Sequence, residues 1–495
     1  MPRPENKTPP FIFQDVHVFL GIANGQSGPE RRKMQGKRET IKGDTMQQHD
    51  VIVIGSGTAG YTAAHACRKA GKSVLVADKR PFGGTCAMRG CQPKKILVAA
   101  ATAMHRANAL HGQGITGESR LDWPSLMRFK RDFTEAVPEK SVQGFHDAGI
   151  NTAHGAVTFT GPNQMRIGSD THTAEHIVIA AGTVPRTLPI PGADLLLDSD
   201  AFLELDNLPE SIVFLGGGFI CFEFAFICAL AGVRTTIVHR SDRFLRNFDT
   251  DMVDQLLEAG RNLGITLLPE TRVEKVEQAG PNLMLTLSGR EPSELRVHAA
   301  VVAVGRVPEV HDLALDVAGV AASPRGVTVN AFMQSVSNPA VYAVGDVADT
   351  PYQLATTADM EAETAAANIL GGNRTQADHM AVPHAVFSMP TLAGVGMSEK
   401  GARQAAEKQG FQLAVNTGDA TVWMTSRRIG QKHAAYKVLL NQDAGTILGA
   451  HLLGHNAEEM INIFAMAIKF GLTRTQLKSL LWAYPTHVSD IKYMI

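Results

Sequence analysis

The sequence predicts an α/β chain of several domains: two doubly wound parallel-sheet units followed by a C-terminal α+β domain. Three observations carry this. A buried strand, a glycine-rich loop, a helix and a second strand follow one another from residue 51, and the same order returns 161 residues later. The chain has 495 residues, too many for one hydrophobic core. Hydrophobic residues make up 44% and charged residues 19%, the balance of an ordinary globular protein.

The first unit reads "VIVIGSGTAGYTAAHACRKAGKSVLVADKR". Val51 to Ile54 form a continuous apolar run, as in a strand covered on both faces. Gly55, Gly57 and Gly60 follow, then a helix pattern, then a strand from Ser73 to Ala77 that ends at Asp78. This order is the dinucleotide-binding fingerprint in its required context, so the unit is Rossmann-like. Gly55 permits the turn, Gly57 lets backbone approach a pyrophosphate, and Gly60 lets helix and strand come close. The helix N-terminus favours phosphate charge, and Asp78 is placed to hold ribose hydroxyls.

The second unit reads "IVFLGGGFICFEFAFICALAGVRTTIVHRSDRFLR". Gly216, Gly218 and Gly232 repeat Gly55, Gly57 and Gly71, while Cys221 replaces Gly60. The position of Asp78 is taken by His239, with Arg240, Arg243 and Arg246 behind it. A carboxylate there repels a 2′-phosphate, whereas a basic cluster binds it through charge-assisted hydrogen bonds. The first site therefore suits FAD or NAD, and the second suits NADP.

Between them lies "RPFGGTCAMRGCQPKKILVAAATAMHRA". A regular helix would set Cys86 and Cys91 ~7.5 Å apart along its axis, beyond the ~6.8 Å of a bridged pair. Gly90 and Pro93 allow the first turn to distort and close the ring. A helix start and the lysines at 94 and 95 favour the thiolate, so the pair reads as redox-active. No ligand cluster accompanies it, and no metal site is expected.

Net charge is −1, which leaves no electrostatic footprint for nucleic acid or an anionic membrane. No apolar run reaches the ~18 residues of a membrane span. Five cysteines, an odd and low number, suit a reducing compartment, and a cytoplasmic location is expected. Residues 1–48 are rich in Pro, Gly, Lys, Arg and Gln without periodicity and are expected to form a disordered extension. Met46, just before "HDVIVIGSGTAG", is a candidate natural start.

Taken together, "GGTCAMRGCQPKK", "IVIAAGTVPRTLPIPG", "VVAVGRVP", "VYAVGDVAD" and "ILGAHLLGHNAEEMINIFAMAIKFGLT" make the chain from about residue 49 onward resemble the FAD-dependent pyridine nucleotide-disulfide oxidoreductases. That family includes glutathione reductase, dihydrolipoyl dehydrogenase and mercuric reductase. The resemblance implies an FAD domain over 49–183, a pyridine-nucleotide domain over 184–307, a central segment over 308–379 and a dimerisation domain over 380–495. It implies a homodimer with active sites shared across the interface. It implies electron flow from NADPH through FAD and a Cys86–Cys91 disulfide to a disulfide or other thiol-reactive acceptor. Cys86 would meet the acceptor and Cys91 would face the flavin. Lys95 would lie near the flavin with Glu223 as ion-pair partner, and Phe219 would gate the nicotinamide pocket. Asp346 would hold the ribityl chain, and Gly84, Thr85, Gly182 and Gly305 fall in the cofactor-binding motifs.

The chain departs from the family where protons move. The His-Pro-Thr-x-x-Glu acid–base motif reads Tyr484-Pro485-Thr486-His487-Val488-Ser489, so both the His and the Glu are replaced. Met88 replaces an Asn of the redox motif. No cysteine follows Cys228, which leaves out the C-terminal pair of mercuric reductases. The expected activity is glutathione-reductase-like. Metal or quinone reduction, lipoamide chemistry and a non-catalytic redox sensor are the alternatives.

Overall fold

The computed structural model describes residues 46–290 and 293–495. Most of the expected disordered extension thus lies outside the described residues, but its end is corrected. Gln47 and Gln48 already belong to the first strand, Gln47–Ile54, paired with His172 and Thr173. Ladder pairing to a polar neighbour carries the strand beyond its apolar run, which is the only part visible in sequence.

That strand is central in a seven-stranded sheet, between Val74–Asp78 and Asp170–Ile179, both parallel to it. Val51, Ile52 and Val53 are fully buried, as a strand covered on both faces requires. Antiparallel strands Gln164–Ile167 and Val157–Gly161 finish one edge. Val341–Ala343 returns from much later in the chain and adds in parallel beside Ile177–Ile179. This return sets Gly345 and Asp346 at the carboxyl end of the sheet, where the first glycine loop also lies.

A second sheet has four parallel strands, in the order Thr266–Leu268, Arg234–Val238, Ser211–Leu215 and Ala299–Val302. Its glycine-loop helix, Phe219–Leu230, has the sequence FICFEFAFICAL, apolar on every side except Glu223. A helix of that kind must be covered all round. It packs on its own sheet and against Leu97, Val98 and Ala101 of the helix Cys91–Ala109. Phe222, Phe224 and Phe226 are fully buried, each worth ~1.5–3 kcal/mol of burial. The second glycine loop is thereby pressed against the helix that starts at Cys91.

The C-terminal part is a five-stranded antiparallel sheet covered by the helix Ala457–Lys469. Among the described residues no helix is long and apolar enough to cross a membrane.

Candidate active site

One cavity runs along the first glycine loop, lined by Gly55, Gly57, Asp78, Gly84, Thr85, Cys86, Cys91, Gly182 and Asp346. Close backbone approach shapes it. A Cβ on Gly60 would lie 1.9 Å from the Gly55 carbonyl oxygen. A Cβ on Gly84, at φ +71°, would lie 2.3 Å from Gly57 Cα. Asp78 braces the loop: Oδ2 accepts from Ser56 N at 2.8 Å and Ser56 Oγ at 2.6 Å, and Oδ1 accepts from Arg80 N at 2.9 Å. Asp346 accepts from Thr183 Oγ1 at 3.3 Å, and burial pushes its carboxyl upward. Exposed loop backbone for a pyrophosphate and carboxylates for hydroxyls fit a bound dinucleotide such as FAD.

Cys86 sits in the short helix Gly84–Arg89, and Cys91 opens the helix Cys91–Ala109. Gly90 separates the two helices, and a Cβ there would lie 2.9 Å from the Thr85 carbonyl oxygen. The break removes the axial separation that one regular helix would impose. Both residues line the cavity. They are unequal. The hydrogen bond to Cys91, together with burial, pushes the Cys86 thiol far up. That same hydrogen bond, aided by the Lys94 and Lys95 charges, lowers Cys91 to about 6. The anion is thus favoured at Cys91 and disfavoured at Cys86.

Glu223 lies one turn into its helix, almost fully buried, and takes both lysines of the redox helix. Burial raises its carboxyl, but Lys94, Lys95 and the Phe387 N–H, at 2.9 Å, hold it below the usual range. The expected Lys95–Glu223 ion pair is present, but Lys94 shares the carboxylate. Lys94 makes the tighter ion pair with Glu223, lines the cavity, and lies 5.0 Å from the Phe219 ring centroid. Lys95 is 3.5 Å from Glu223 with its ammonium 3.0 Å over the Phe387 ring, away from the cavity wall. The two residues are adjacent on a helix, about 100° apart, so they leave it in different directions.

Phe219 lines this cavity and also the next one. The second cavity follows the second glycine loop and is lined by Gly216, Gly218, Arg240, Arg243, Arg246 and Gly305. Cys221 fits where a glycine was expected, its thiol donating to the Gly216 carbonyl at 3.4 Å. The His239 ring lies against Gly217, where a Cβ would meet it at 2.7 Å. Arg240 has no ion-pair partner among the described residues, and Arg246 has only an exposed contact with Asp242 at 3.9 Å. A basic wall of this kind fits a phosphorylated nucleotide. Arg186 and Arg272 also line it and went unnoticed in sequence, because they come from outside the repeat. Arg89, inside the redox loop, likewise lines the first cavity without any sequence signal.

Tyr484 lines neither cavity of its own chain and is 71% exposed. The Ser489 hydroxyl is spent on the turn, donating to the Thr486 carbonyl at 2.6 Å and accepting from Thr486 N at 3.2 Å. His487 is buried against His455, ring centroids 5.3 Å apart.

Residues 49–362 match the family described as pyridine nucleotide-disulphide oxidoreductase, and residues 382–495 match that family's dimerisation domain. The chain belongs to this family. It is 29% identical to glutathione reductase from Nostoc sp. over 90% of this chain and 99% of that one. It is also 29% identical to dihydrolipoyl dehydrogenase from Halobacterium salinarum, over 90% of this chain and 95% of the relative. A solved structure, the Cu(II) complex of a cysteine-to-serine mutant of the HOCl-induced flavoprotein disulfide reductase RclA from Escherichia coli, superposes with a TM-score of 0.81. That match has 26% identity and covers 91% of this chain and 99% of the other. The chain is thus an FAD- and pyridine nucleotide-dependent disulfide oxidoreductase of α/β fold with a dimerisation domain.

Proposed function

We propose that this enzyme draws electrons from NADPH and delivers them through the Cys86–Cys91 pair to a small disulfide. The observation that carries the reading is the pairing of two cavities across Phe219, one holding both thiols and the other a wall of arginines. FAD, once bound along the first glycine loop, supplies hydride acceptance and two-electron delivery. Arg240 and Arg246 would take the 2′-phosphate, and Phe219 would move aside for the nicotinamide.

The chain's own part begins with the reduced pair. Cys86 passes its proton to the Cys91 thiolate, and the Cys86 thiolate then attacks one sulfur of the acceptor, forming a mixed disulfide and releasing the other half as a thiolate, which takes the proton back from Cys91. Cys91 attacks the Cys86 sulfur next, which releases the second thiol and restores the internal disulfide. Lys94 and Lys95 stabilise Cys91 in its anionic form. The thiolate released last takes its proton from water, because a phenol with pKa ~10 is a weaker acid than a thiol at ~8.5 and a poor proton carrier at neutral pH. We read the chain as a homodimer in which Tyr484 faces the site of the partner subunit as a hydrogen-bond donor, not as a base. The acceptor is accordingly one whose leaving thiol needs little help.

A metal ion is the second reading. Adjacent thiols suit a soft ion, the acid–base pair is replaced, and the solved relative is described as a Cu(II) complex. An acceptor panel of glutathione disulfide, lipoamide, Cu(II), Hg(II) and a quinone, each with NADPH and with NADH, separates these readings. Turnover with Cu(II) or Hg(II) alone would replace the disulfide reading. Preference for NADH would remove the assigned role of Arg240 and Arg246.

A further inference from the structure

The loop that carries Arg240, Arg243 and Arg246 is anchored at both ends. On one side the Leu245 N–H donates to the Gly217 carbonyl at 2.8 Å, tying it to the glycine loop. Leu245 is buried with φ 44°, a left-handed conformation that leucine keeps only where its surroundings over-determine it. On the other side Phe248 packs edge-on against His384 at 4.8 Å, and Asp249 caps the helix Thr250–Asn262. His384 belongs to the dimerisation domain.

Beside it stands a larger contact. Lys437, on the strand Ala435–Asn441, is almost completely buried. Its Nζ lies 2.9 Å from Asp249 Oδ2, 2.7 Å from Asp251 Oδ2 and 2.9 Å from Glu399 Oε2. An ammonium has three donors, and here each has a carboxylate. Two of those carboxylates begin the helix behind the arginine loop, and the third belongs to the dimerisation domain. Burial disfavours the charge, but the carboxylates overcome it and hold the amine above its ordinary range, so Lys437 stays cationic. His451 and Arg403 also lie near this cluster: His451 Nε2 is 3.1 Å from the Met397 carbonyl, and Arg403 is paired with Glu399.

We propose that Lys437 is a positioning residue for the nucleotide 2′-phosphate: through Asp249 and Asp251 it fixes the arginine loop against the glycine loop Gly216–Gly218. The dimerisation domain would then set the geometry of a site to which it contributes no lining residue. This rests on reading the second cavity as an NADPH site.

The test uses the FAD-loaded full-length enzyme and two probes, 2′,5′-ADP and 5′-AMP, titrated by calorimetry. With Lys437→Met we expect the Kd of 2′,5′-ADP and the KM of NADPH to rise about tenfold, while 5′-AMP and NADH shift less than about twofold. Asp251→Asn, at a mostly exposed carboxylate, should shift the same probe about threefold, and Lys437→Arg should recover most of the loss. Should Lys437→Met fail to fold, Asp251→Asn decides. Unchanged 2′,5′-ADP binding in the folded variants overturns the proposal, as does an equal loss for both probes, which marks general loosening. If the unmodified enzyme itself fails to prefer 2′,5′-ADP, the NADPH reading fails first and takes this inference with it.

Discussion

Lys95 lies 3.5 Å from Glu223, on a carboxylate that Lys94 already holds more tightly. The second lysine carries the cost of crowding. Burial lowers its amine from 10.5 to about 8, although Glu223 opposes that shift. Between about 8 and 10.5 the unfolded chain binds a proton that the folded chain does not, so this residue makes stability rise with pH across that window. In urea denaturation the unmodified enzyme should gain on Lys95→Met from about pH 8 to about 10. A constant difference would contradict the assignment.

Glu223→Gln should be costly. It leaves Lys94, nearly buried, and Lys95 without their shared carboxylate, and removing one partner of a buried pair costs ~3–5 kcal/mol. The denaturation midpoint measures this. A loss below ~1 kcal/mol would mean that water reaches the lysines.

The reduced thiol pair should lose its first proton near pH 6, seen as thiolate absorbance in the ultraviolet. Cys86→Ala removes the hydrogen bond that is the largest cause, so the titration should move up by about one unit or more. Cys91→Ser should abolish the low-pH step altogether. A midpoint that ignores Cys86 would assign the effect to the lysines.

Arg246→Ala should raise the KM of NADPH about ten- to hundredfold, the loss of a hydrogen bond between charged groups, with NADH unaffected. Steady-state rates with both nucleotides measure it. Equal effects on the two would show that Arg246 does not meet the 2′-phosphate.

Tyr484→His restores a base at the position where the family motif has one. With glutathione disulfide kcat should rise, toward the ~10²-fold that a positioned acid–base supplies. No gain would show that proton transfer does not limit this enzyme.

What could be read from the residues was what local backbone decides. The glycine loops are legible because a turn, a phosphate cradle and a close helix each need a missing Cβ at a set spacing. Asp78 and the Arg240–Arg246 cluster follow, since they sit at fixed steps after the loops. The redox pair was legible for its glycines and its lysines. Lys94 and Lys95 are alike in sequence, because neighbouring positions on a helix separate only once Phe219 and Phe387 are in place. Lys437 gave no signal: a lysine on an apolar strand reads as an outward-facing residue until Asp249, Asp251 and Glu399 converge on it. Gln47 and Gln48 joined a strand through backbone pairing, which composition does not report.

Phe219 has a further consequence. Because one ring lines both cavities, the arginine-lined pocket and the pocket that holds the two thiols adjoin at Phe219, and on the proposed electron path the nucleotide and the acceptor approach from different sides. The enzyme can finish with one substrate before it meets the other. Its kinetics should be ping-pong, with parallel lines in double-reciprocal plots, and an excess of either substrate should not exclude the other.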